Sequence, residues 1–264
     1  MNNNKFSAYP FGEYFEVISA NTYELRKIVY QLRFQVYCVE TGFENPNQYP
    51  TQLEIDPFDK VSVYILLKHR PTGLYVGTVR LILHHPEVGF PMDFLPTSPL
   101  FKNQKRFPRR KVAEISRFAI SKQFRRRLAE FVSPSVARDD CYTDGHVHYQ
   151  RFFLPHISLG LMQGLVRMSA EHGIKHWFIV TELSLIRLLT RYSVYLIPEG
   201  SPVEYHGQRQ PCYVHIEPML ARVYEEQPEV WAFLTNNGQH YSGARAYFPL
   251  NQYRRKNGKI SVQL

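Results

Sequence analysis

Residues 61–83, VSVYILLKHRPTGLYVGTVRLIL, contain two apolar runs that are separated by a short turn sequence. The first run, residues 61–68, is apolar enough for a buried strand, and residues 74–83 can form the return strand. The residues between them, HRPTG at 69–73, place Pro and Gly at hairpin-turn positions. This stretch therefore predicts a β-hairpin.

The segments around the hairpin alternate between strands and helices. Between Tyr23 and Val39 the apolar residues recur at steps of three and four, which is typical of an amphipathic helix. The same patterns predict strands at 12–19, 112–120, 176–181, 193–198 and 212–218, helices at 151–172, 182–191 and 223–234, and loops at 86–111 and 121–148. This order indicates an α/β fold, in which helices flank a mixed central sheet. We expect a main domain at residues 1–220, with 221–264 as a C-terminal helix and basic tail that extend it.

Composition excludes several classes of protein. Apolar residues make up 44 % of the 264 residues, which is enough for a sizeable core and excludes global disorder. The longest apolar stretch, Val61 to Leu67, is far shorter than the ~20 residues that a membrane-spanning helix needs. The N-terminus lacks the pattern of a cleaved secretory signal. The three cysteines, Cys38, Cys141 and Cys212, are far apart and odd in number, which favours a reducing cytoplasm.

The formal net charge of +9 favours an acidic partner, and nucleic acid, a membrane surface and an acidic carrier protein all meet that description. The window from 102 to 127 holds only one acid, Glu114, and eleven basic residues: Lys102, Lys105, Arg106, Arg109, Arg110, Lys111, Arg117, Lys122, Arg125, Arg126 and Arg127. This run is either a solvated face or a surface for phosphates or an acidic protein. No nucleic-acid-binding motif accompanies it, so we do not expect a nucleic-acid partner.

Motifs for nucleotides and metals are absent. The sequence contains no GxxxxGK[ST], GxGxxG or GxSxG pattern. The cluster Cys141, His146 and His148 lacks a second pair of ligands at standard spacing, so we predict no metal site.

Charged residues interrupt several apolar segments, which is costly unless they are paired. They are Arg33, Glu54, Asp56, Asp59, Arg80, Glu114 and Arg117. One interpretation is structural ion pairing, for example between Arg80 and Asp59 or between Arg33 and Glu114. The other is a shared polar cleft in which an acid acts as a general base or clamps a substrate.

Four motifs in order carry a family resemblance: LRFQVYCVETGF at 32–43, ExDxxD at 54–59, VGTVRL at 76–81 and EISRFAI at 114–120. Together they resemble the acyl-homoserine lactone synthases and N-acyl amino acid synthases, a branch of the GCN5-related N-acyltransferases (GNAT). The resemblance covers roughly residues 12 to 218. ISRFAI followed by KQFRRR, together with residues 187–211, is most similar to the acyltransferases associated with the PEP-CTERM/exosortase system.

The resemblance implies a GNAT-like fold and an N-acyltransferase. Such an enzyme moves a fatty acyl group, here expected to be long, to the amine of an amino acid or a related small molecule. It implies no tightly bound cofactor and an acyl-phosphopantetheine donor, on acyl carrier protein or on coenzyme A. In ordinary members of the fold, a Gly-rich loop after the EISRFAI strand binds the pyrophosphate through backbone amides. Here that loop is SKQFRRR, 121–127, without Gly, which favours a donor attached to a protein.

The resemblance also implies roles for single residues. We expect Glu114 to be the catalytic base, with Glu54 as its rival. The expected substrate-binding residues are Arg33, Asp56, Asp59, Arg80, Ser116 and Arg117. The expected pantetheine or carrier contacts are Phe118, Ala119, Ile120, Arg125, Arg126 and Arg127. Strand alternation places Glu114 and Arg117 on opposite faces, so both can face one cleft only if the strand is bulged. Cys38 is expected to line the cleft or the core rather than to form an acyl intermediate.

Two alternatives stay open at this stage. One is an acetyl- or acyl-coenzyme A-dependent N-acetyltransferase of the same fold. The other is a non-catalytic module that binds an anionic partner through the basic face, and peripheral contact with a membrane is compatible with that charge.

Overall fold

The computed structural model describes residues 11–97, 99–124, 144–205 and 207–241, and the backbone of 253–256 and 259–262; for 144–154 it describes the helical backbone alone. Its helices are α1 (Phe11–Tyr14), α2 (Tyr23–Phe34), α3 (Asp144–Glu171), α4 (Leu183–Thr190), α5 (Ile216–Glu226) and α6 (Pro228–Thr235). Its strands are β1 (Phe15–Ser19), β2 (Ser62–His69), β3 (Tyr75–Leu83), β4 (Val112–Ile120), β5 (His176–Thr181), β6 (Ile197–Pro198), β7 (Val203–Glu204), β8 (Gln208–His215), β9 (Tyr253–Lys256) and β10 (Lys259–Val262).

The central sheet is mixed and flanked by helices, as the sequence predicts. Within the described part of the chain its strands lie in the order β1-β2-β3-β4-β5-β8-β6, with β7 paired to β8. The predicted hairpin is confirmed as β2 and β3, which pair antiparallel from Ser62 opposite Ile82 to Lys68 opposite Tyr75. The parallel pair is β4 and β5, and the other strand pairs are antiparallel. Strands β9 and β10 form a separate pair.

Several predicted boundaries differ from the structure. The helix expected to run to Val39 changes after Phe34 into a π-helical segment, Gln35–Glu40. The strand expected at 212–218 ends at His215, where α5 begins. The single helix expected at 223–234 is two helices, because Pro228 forces Gln227 out of the helical conformation (φ −148°, ψ 77°).

Other predicted segments also differ in their bounds. Helix α3 starts at Asp144 rather than near 151, and β1 starts at Phe15 after the short α1. The predicted strand at 193–198 is reduced to Ile197–Pro198. The loop predicted at 86–111 contains short 3-10 turns at Pro91–Phe94, Pro99–Lys102 and Arg109–Lys111. Most of the loop predicted at 121–148 lies outside the described residues.

The two faces of the sheet pack against different elements. One face packs on α3, α5 and α6 in a core that includes Ile65, Leu81, Ile115, Leu161, Leu165, Val223 and Leu234. The other face is covered at one end by α2, through Val29 and Leu32 on Tyr64 and Leu66. At the far end of this face, residues 86–111, which contain the three 3-10 turns, pack Phe90, Phe101 and Phe107 on Ile82 and Phe178. Glu114 lies opposite both Ile82 and Phe178, so its side chain shares this second face.

Strand β4 contains the bulge that the sequence requires if Glu114 and Arg117 are to share a cleft. Its pairing with β3 shifts between Thr78, which lies opposite Ala119, and Arg80, which lies opposite Ser116. The extra residue in β4 accompanies a left-handed conformation at Arg117, with φ of 50°. This conformation is strained for a residue other than glycine, and such strain clusters at functional sites.

Helix α3 approaches the sheet closely at Gly160 and Gly164. A methyl group at Gly164 would lie 2.5 Å from Cγ1 of Ile65, which is fully buried in the core. We expect Gly164→Ala to lower the free energy of unfolding by about 1–3 kcal/mol through overpacking, although alanine favours helices by about 1 kcal/mol. Urea unfolding measures the change. The control is Gly12→Ala, where the added methyl group meets nothing within 4 Å; equal midpoints for the two variants would contradict the prediction.

Candidate active site

Arg33 at the end of α2 is the buried centre of an ionic cluster. Its Nε donates a hydrogen bond to Glu54, and its Nη1 donates to Oδ1 of Asp59 at 2.7 Å. The side chains of Arg33 and Glu54 are completely inaccessible to solvent. Asp59 is held in place because its other oxygen accepts the backbone N–H of Asp56, which closes the turn at Pro57–Val61.

Arg80 joins the same cluster from β3. Its Nη1 donates to Oδ1 of Asp56 at 2.6 Å and to Oδ1 of Asp59 at 2.7 Å, and its Nε donates to Oγ of Ser116 at 2.8 Å. Tyr64 on β2 donates its hydroxyl to the same Asp59 oxygen at 2.8 Å. Charge-assisted hydrogen bonds of this kind fix both partners, so Asp59 anchors two guanidinium groups from different elements.

The bulge brings Arg117 into the cluster. Its Nη2 lies 2.9 Å from Oε1 of Glu54, 3.2 Å from Oε1 of Glu44 and 3.4 Å from Oδ2 of Asp56. Its guanidinium group also stacks over the ring of Tyr37, 5.3 Å from the centroid. Of the two ion pairs considered from the sequence, Arg80 with Asp59 is present. Arg33 does not pair with Glu114, because its donors go to Glu54 and Asp59.

The cluster keeps two of its acids ionised. Burial alone raises the pKa of Glu54, but Arg33 and Arg117 outweigh burial and lower the pKa below its usual value. Burial acts in the same way on Asp59, and Arg33 and Arg80 lower its pKa to about 2. An inaccessible carboxylate with a lowered pKa is a poor proton acceptor, which argues against Glu54 as the base.

Glu114 has the opposite environment. Its side chain is buried among the aromatic residues of the second face, and Oε2 accepts one hydrogen bond from the backbone N–H of Met92 at 2.9 Å. Burial raises the pKa of Glu114 to about 8, against the lowering effects of the Met92 amide and Arg80. A carboxyl with a pKa near the ambient pH is suited to take a proton in a reaction.

A cavity of about 930 Å³ adjoins Glu114 and the ionic cluster. Asp56, Arg80 and Arg117 line it near the cluster. Strands β4 and β5 pair only from Val112 to Ile115 on the β4 side, and beyond that point both strands line the cavity. On the side of α3 and α4 its walls include Ile179, Leu185, Leu188 and Ser158. The cavity thus has apolar wall segments beside charged ones, because Arg187 and Arg191 line it together with these leucines.

The residues predicted to contact pantetheine or a carrier are placed in part. Phe118 and Ile120 line the cavity, whereas Ala119 is buried against the α2 side of the core. Arg125, Arg126 and Arg127 lie outside the described residues, as do Cys141 and the side chains of His146 and His148. In the basic run, Arg106 donates to the hydroxyl of Tyr213, and Arg109 pairs with Asp93. Those two arginines are therefore structural rather than part of a free basic face.

The sequence did not reveal some residues of the site. Glu44, Tyr64 and Met92 reach it through tertiary contacts, and all three lie outside the four motifs, although Glu44 directly follows the first of them. Glu40, inside the LRFQVYCVETGF motif, accepts the backbone N–H of Lys122 at 2.7 Å, that of Gln123 at 3.0 Å and the hydroxyl of Ser121 at 2.9 Å. Its carboxylate is therefore hydrogen-bonded to the backbone N–H groups that directly follow β4.

The described residues do not support a metal site, a cysteine nucleophile or a membrane-spanning helix. Across the described ranges, no group of three or more His, Cys, Asp or Glu residues could hold a metal ion. Burial raises the pKa of the Cys38 thiol, so Cys38 is not an activated nucleophile. No helix in the described part of the chain has the length and hydropathy to cross a membrane.

Comparison with known proteins agrees with this architecture. Residues 32–132 match the family model of an acetyltransferase (GNAT) domain. The fold and this match define the class: the protein is an acyltransferase built on the GNAT fold. No curated protein matches the chain.

The chain is also similar to several solved structures. TofI, solved in a ternary complex with an inhibitor and MTA, is 19 % identical with a TM-score of 0.53, over 80 % of this chain and 95 % of TofI. FeeM, an N-acyl amino acid synthase from uncultured soil microbes, is 16 % identical with a TM-score of 0.48, over 79 % and 94 %. BjaI, a CoA-dependent acyl-homoserine lactone synthase solved with SAM and isopentyl-CoA, is 16 % identical with a TM-score of 0.47, over 84 % and 99 %. The likeness to TofI supports the fold.

Proposed function

We propose that this protein is an N-acyltransferase that moves a long-chain fatty acyl group from an acyl carrier protein to the amine of an amino acid or a related small molecule. The observation that carries the proposal is the placement of Glu114, a buried carboxyl with a pKa of about 8 at the wall of a cavity that leads between β4 and β5. An amine must lose a proton when it attacks a thioester, and Glu114 is positioned to accept that proton.

In the proposed reaction the amine nitrogen forms a bond to the thioester carbon, and the carbon–sulfur bond breaks. Glu114 takes the proton that the amine loses and returns it to the leaving thiolate. Backbone amides of β4 beyond Ile115, where pairing with β5 has ended, are available to stabilise the developing oxyanion. The apolar part of the cavity wall, formed by Ile179, Leu185 and Leu188, suits an acyl chain.

The ionic cluster suits the acceptor. Four carboxylates, Glu44, Glu54, Asp56 and Asp59, face three guanidinium groups, Arg33, Arg80 and Arg117. One negative charge remains in excess, and Asp56 both lines the cavity and is partly accessible. We propose that Asp56 holds the ammonium form of the acceptor until it releases one proton to water, and that Glu114 takes the second proton when the neutral amine attacks. Arg117 binds an acceptor carboxylate.

Two features favour a carrier protein as the donor. Lys122, Arg187 and Arg191 are exposed and line the cavity, which complements an acidic carrier. Glu40 accepts hydrogen bonds from the backbone N–H groups that follow β4. In ordinary members of the fold that this sequence resembles, the corresponding N–H groups bind a pyrophosphate. A donor whose phosphopantetheine is attached to a protein does not require those amides.

The test is mass spectrometry of lipid extracts from cells that overproduce the full chain or its Glu114→Gln variant. We expect a new N-acyl amide that is absent with the variant, and its mass identifies both acyl chain and acceptor. The same amide from both proteins would eliminate Glu114 as the base. If neither makes one, purified protein is assayed for thiol release from acyl carrier proteins of different chain length, and no release would overturn the proposal.

Removal of the Glu40 carboxylate should change donor selection. We expect the wild-type protein to bind free coenzyme A weakly and Glu40→Ala to bind it about tenfold more tightly, a gain of about 1.4 kcal/mol, because two backbone amides become available to a phosphate. Isothermal titration with coenzyme A measures both affinities. Glu225→Ala, the same charge change at an exposed site on α5, is the control. Equally tight binding by wild type would contradict the preference for a protein-bound donor.

The wider assignments belong to the same proposal. We propose that residues 1–220 and the C-terminal extension act as one acyltransferase domain. The free, buried thiols of Cys38 and Cys212 are compatible with the reducing cytoplasm that we propose as its location. The resemblance to the PEP-CTERM/exosortase-associated acyltransferases is retained as the proposed subgroup. It rests on ISRFAI and KQFRRR at 115–127 and on residues 187–211.

A further inference from the structure

The turn at Pro91–Phe94 directs a backbone amide at Glu114. Met92 lies at its second position and donates its N–H to Oε2 of Glu114 at 2.9 Å. The side chain of Met92 is almost fully buried, and Phe90 before it packs on Phe178 with ring centroids 6.2 Å apart. The conformation of this turn therefore decides where the carboxyl of Glu114 is held.

Asp93 and Arg109 fix this turn. Oδ2 of Asp93 accepts the backbone N–H of Phe90 at 3.0 Å, which closes the turn on itself. Both oxygens of Asp93 also accept Arg109, with Nη2 to Oδ1 at 2.8 Å and Nη1 to Oδ2 at 3.2 Å. The guanidinium group of Arg109 in turn lies over the ring of Phe90, 5.4 Å from its centroid. A paired, two-pronged contact of this kind has a defined geometry.

We propose that Asp93 and Arg109 are a positioning pair that holds the Met92 amide against Glu114 and balances the charge beside its carboxyl. This inference rests on the proposed role of Glu114 for its catalytic meaning, but the structural claim can be tested without turnover. Neither residue lines the cavity, so the pair acts through Glu114 and not on a substrate.

The two members of the pair act on Glu114 in opposite directions. The negative charge of Asp93 disfavours ionisation of Glu114, and the positive charge of Arg109 favours it. Arg80 is a further charged group that acts on Glu114, and it is bound to Asp56, Asp59 and Ser116. Loss of Asp93 alone should therefore let Glu114 ionise at lower pH, and loss of Arg109 alone should delay its ionisation to higher pH.

The experiment is an NMR titration of the full-length protein labelled with ¹³C at the glutamate side-chain carboxyl. The resonance of Glu114 is the one that disappears in Glu114→Gln. We expect its titration midpoint to move down by about half a pH unit or more in Asp93→Asn and up by a similar amount in Arg109→Gln. Arg109→Lys keeps the charge but not the two-pronged contact, so its midpoint should lie between those of wild type and Arg109→Gln. The double variant Asp93→Asn/Arg109→Gln should fall between the single variants.

The outcomes separate this inference from the proposed function. Asparagine keeps an oxygen that can accept the N–H of Phe90, so Asp93→Asn removes the charge without removing that contact. Midpoints that move in opposite directions support the pair, and midpoints that do not move or move together overturn it. If one single variant fails to fold by circular dichroism, the direction of the other still decides. The second readout is the rise of kcat/KM for acyl transfer with pH on the acid side of the profile. If this rise persists in Glu114→Gln, Glu114 is not the base, but the titration result for the pair remains valid.

Discussion

Arg33→Met should be the most destabilising single substitution in the ionic cluster. The change removes a fully buried positive charge that pairs with Glu54 and Asp59, and leaves both carboxylates without their central partner. Breaking a buried ion pair from one side costs about 3–5 kcal/mol, because the remaining charge stays desolvated. Urea unfolding at neutral pH measures the loss in the free energy of unfolding.

The matched control for this prediction is Arg70→Met. Arg70 pairs with Glu16 at 3.5 Å, and both side chains are about half exposed, so its loss should cost less than about 1 kcal/mol. The two variants make the same chemical change in opposite environments. Equal unfolding midpoints would contradict the cluster as a buried, mutually dependent network.

The pH dependence of this effect follows from the lowered pKa values. Asp59 has a pKa of about 2 in the folded protein against an ordinary value of 3.8, and the pKa of Glu54 is also lowered. The unfolded chain therefore binds these protons first, so the cluster stabilises the fold above about pH 4.5 and loses that effect as the pH falls toward 2. The difference between wild type and Arg33→Met should shrink over the same range.

The sequence predicts the parts of this architecture that local patterns determine. The hairpin of β2 and β3 follows from two apolar runs around a Pro-Gly turn, and α2 follows from its apolar periodicity. Six of the seven charged residues that interrupt apolar segments meet in one cluster, because a buried charge needs a partner, and Glu114 instead accepts a backbone N–H. The sequence also shows that Glu114 and Arg117 can share a face only through a bulge, and the structure has that bulge beside Arg117.

Long-range contacts explain what the sequence does not predict. Glu40 meets residues 81 to 83 positions further along the chain, and Met92 meets Glu114 across 22 positions. Both contacts depend on irregular backbone, a π-helical segment in one case and a 3-10 turn in the other. The apolar periodicity that reveals regular helices carries no signal for either. The sequence favoured Glu114 over Glu54 as the base without a physical reason, because their pKa values differ through their tertiary partners.

Glu114→Gln should reduce kcat/KM for acyl transfer by about 10²–10⁴-fold, the range that is typical for loss of a general base. Glutamine has nearly the same shape, and its side-chain oxygen can still accept the N–H of Met92. In the wild-type protein, kcat/KM should rise with pH through about 8 as Glu114 loses its proton. This rise of kcat/KM with pH should be absent from the variant, because no carboxyl remains at this position.

The same substitution should not weaken the fold, and this separates a chemical loss from a structural one. The pKa of Glu114 is raised from 4.5 to about 8 in the folded protein. Between these two values the unfolded chain gives up a proton that the folded protein keeps. The wild-type protein therefore loses stability as the pH rises through this range. Glu114→Gln removes that loss and should unfold at higher urea concentration than wild type at pH 8. Glu225→Gln, an exposed control, should change neither property. A variant as stable as expected that keeps full turnover would require another base, and a variant that unfolds more easily would contradict the buried, protonated state of Glu114.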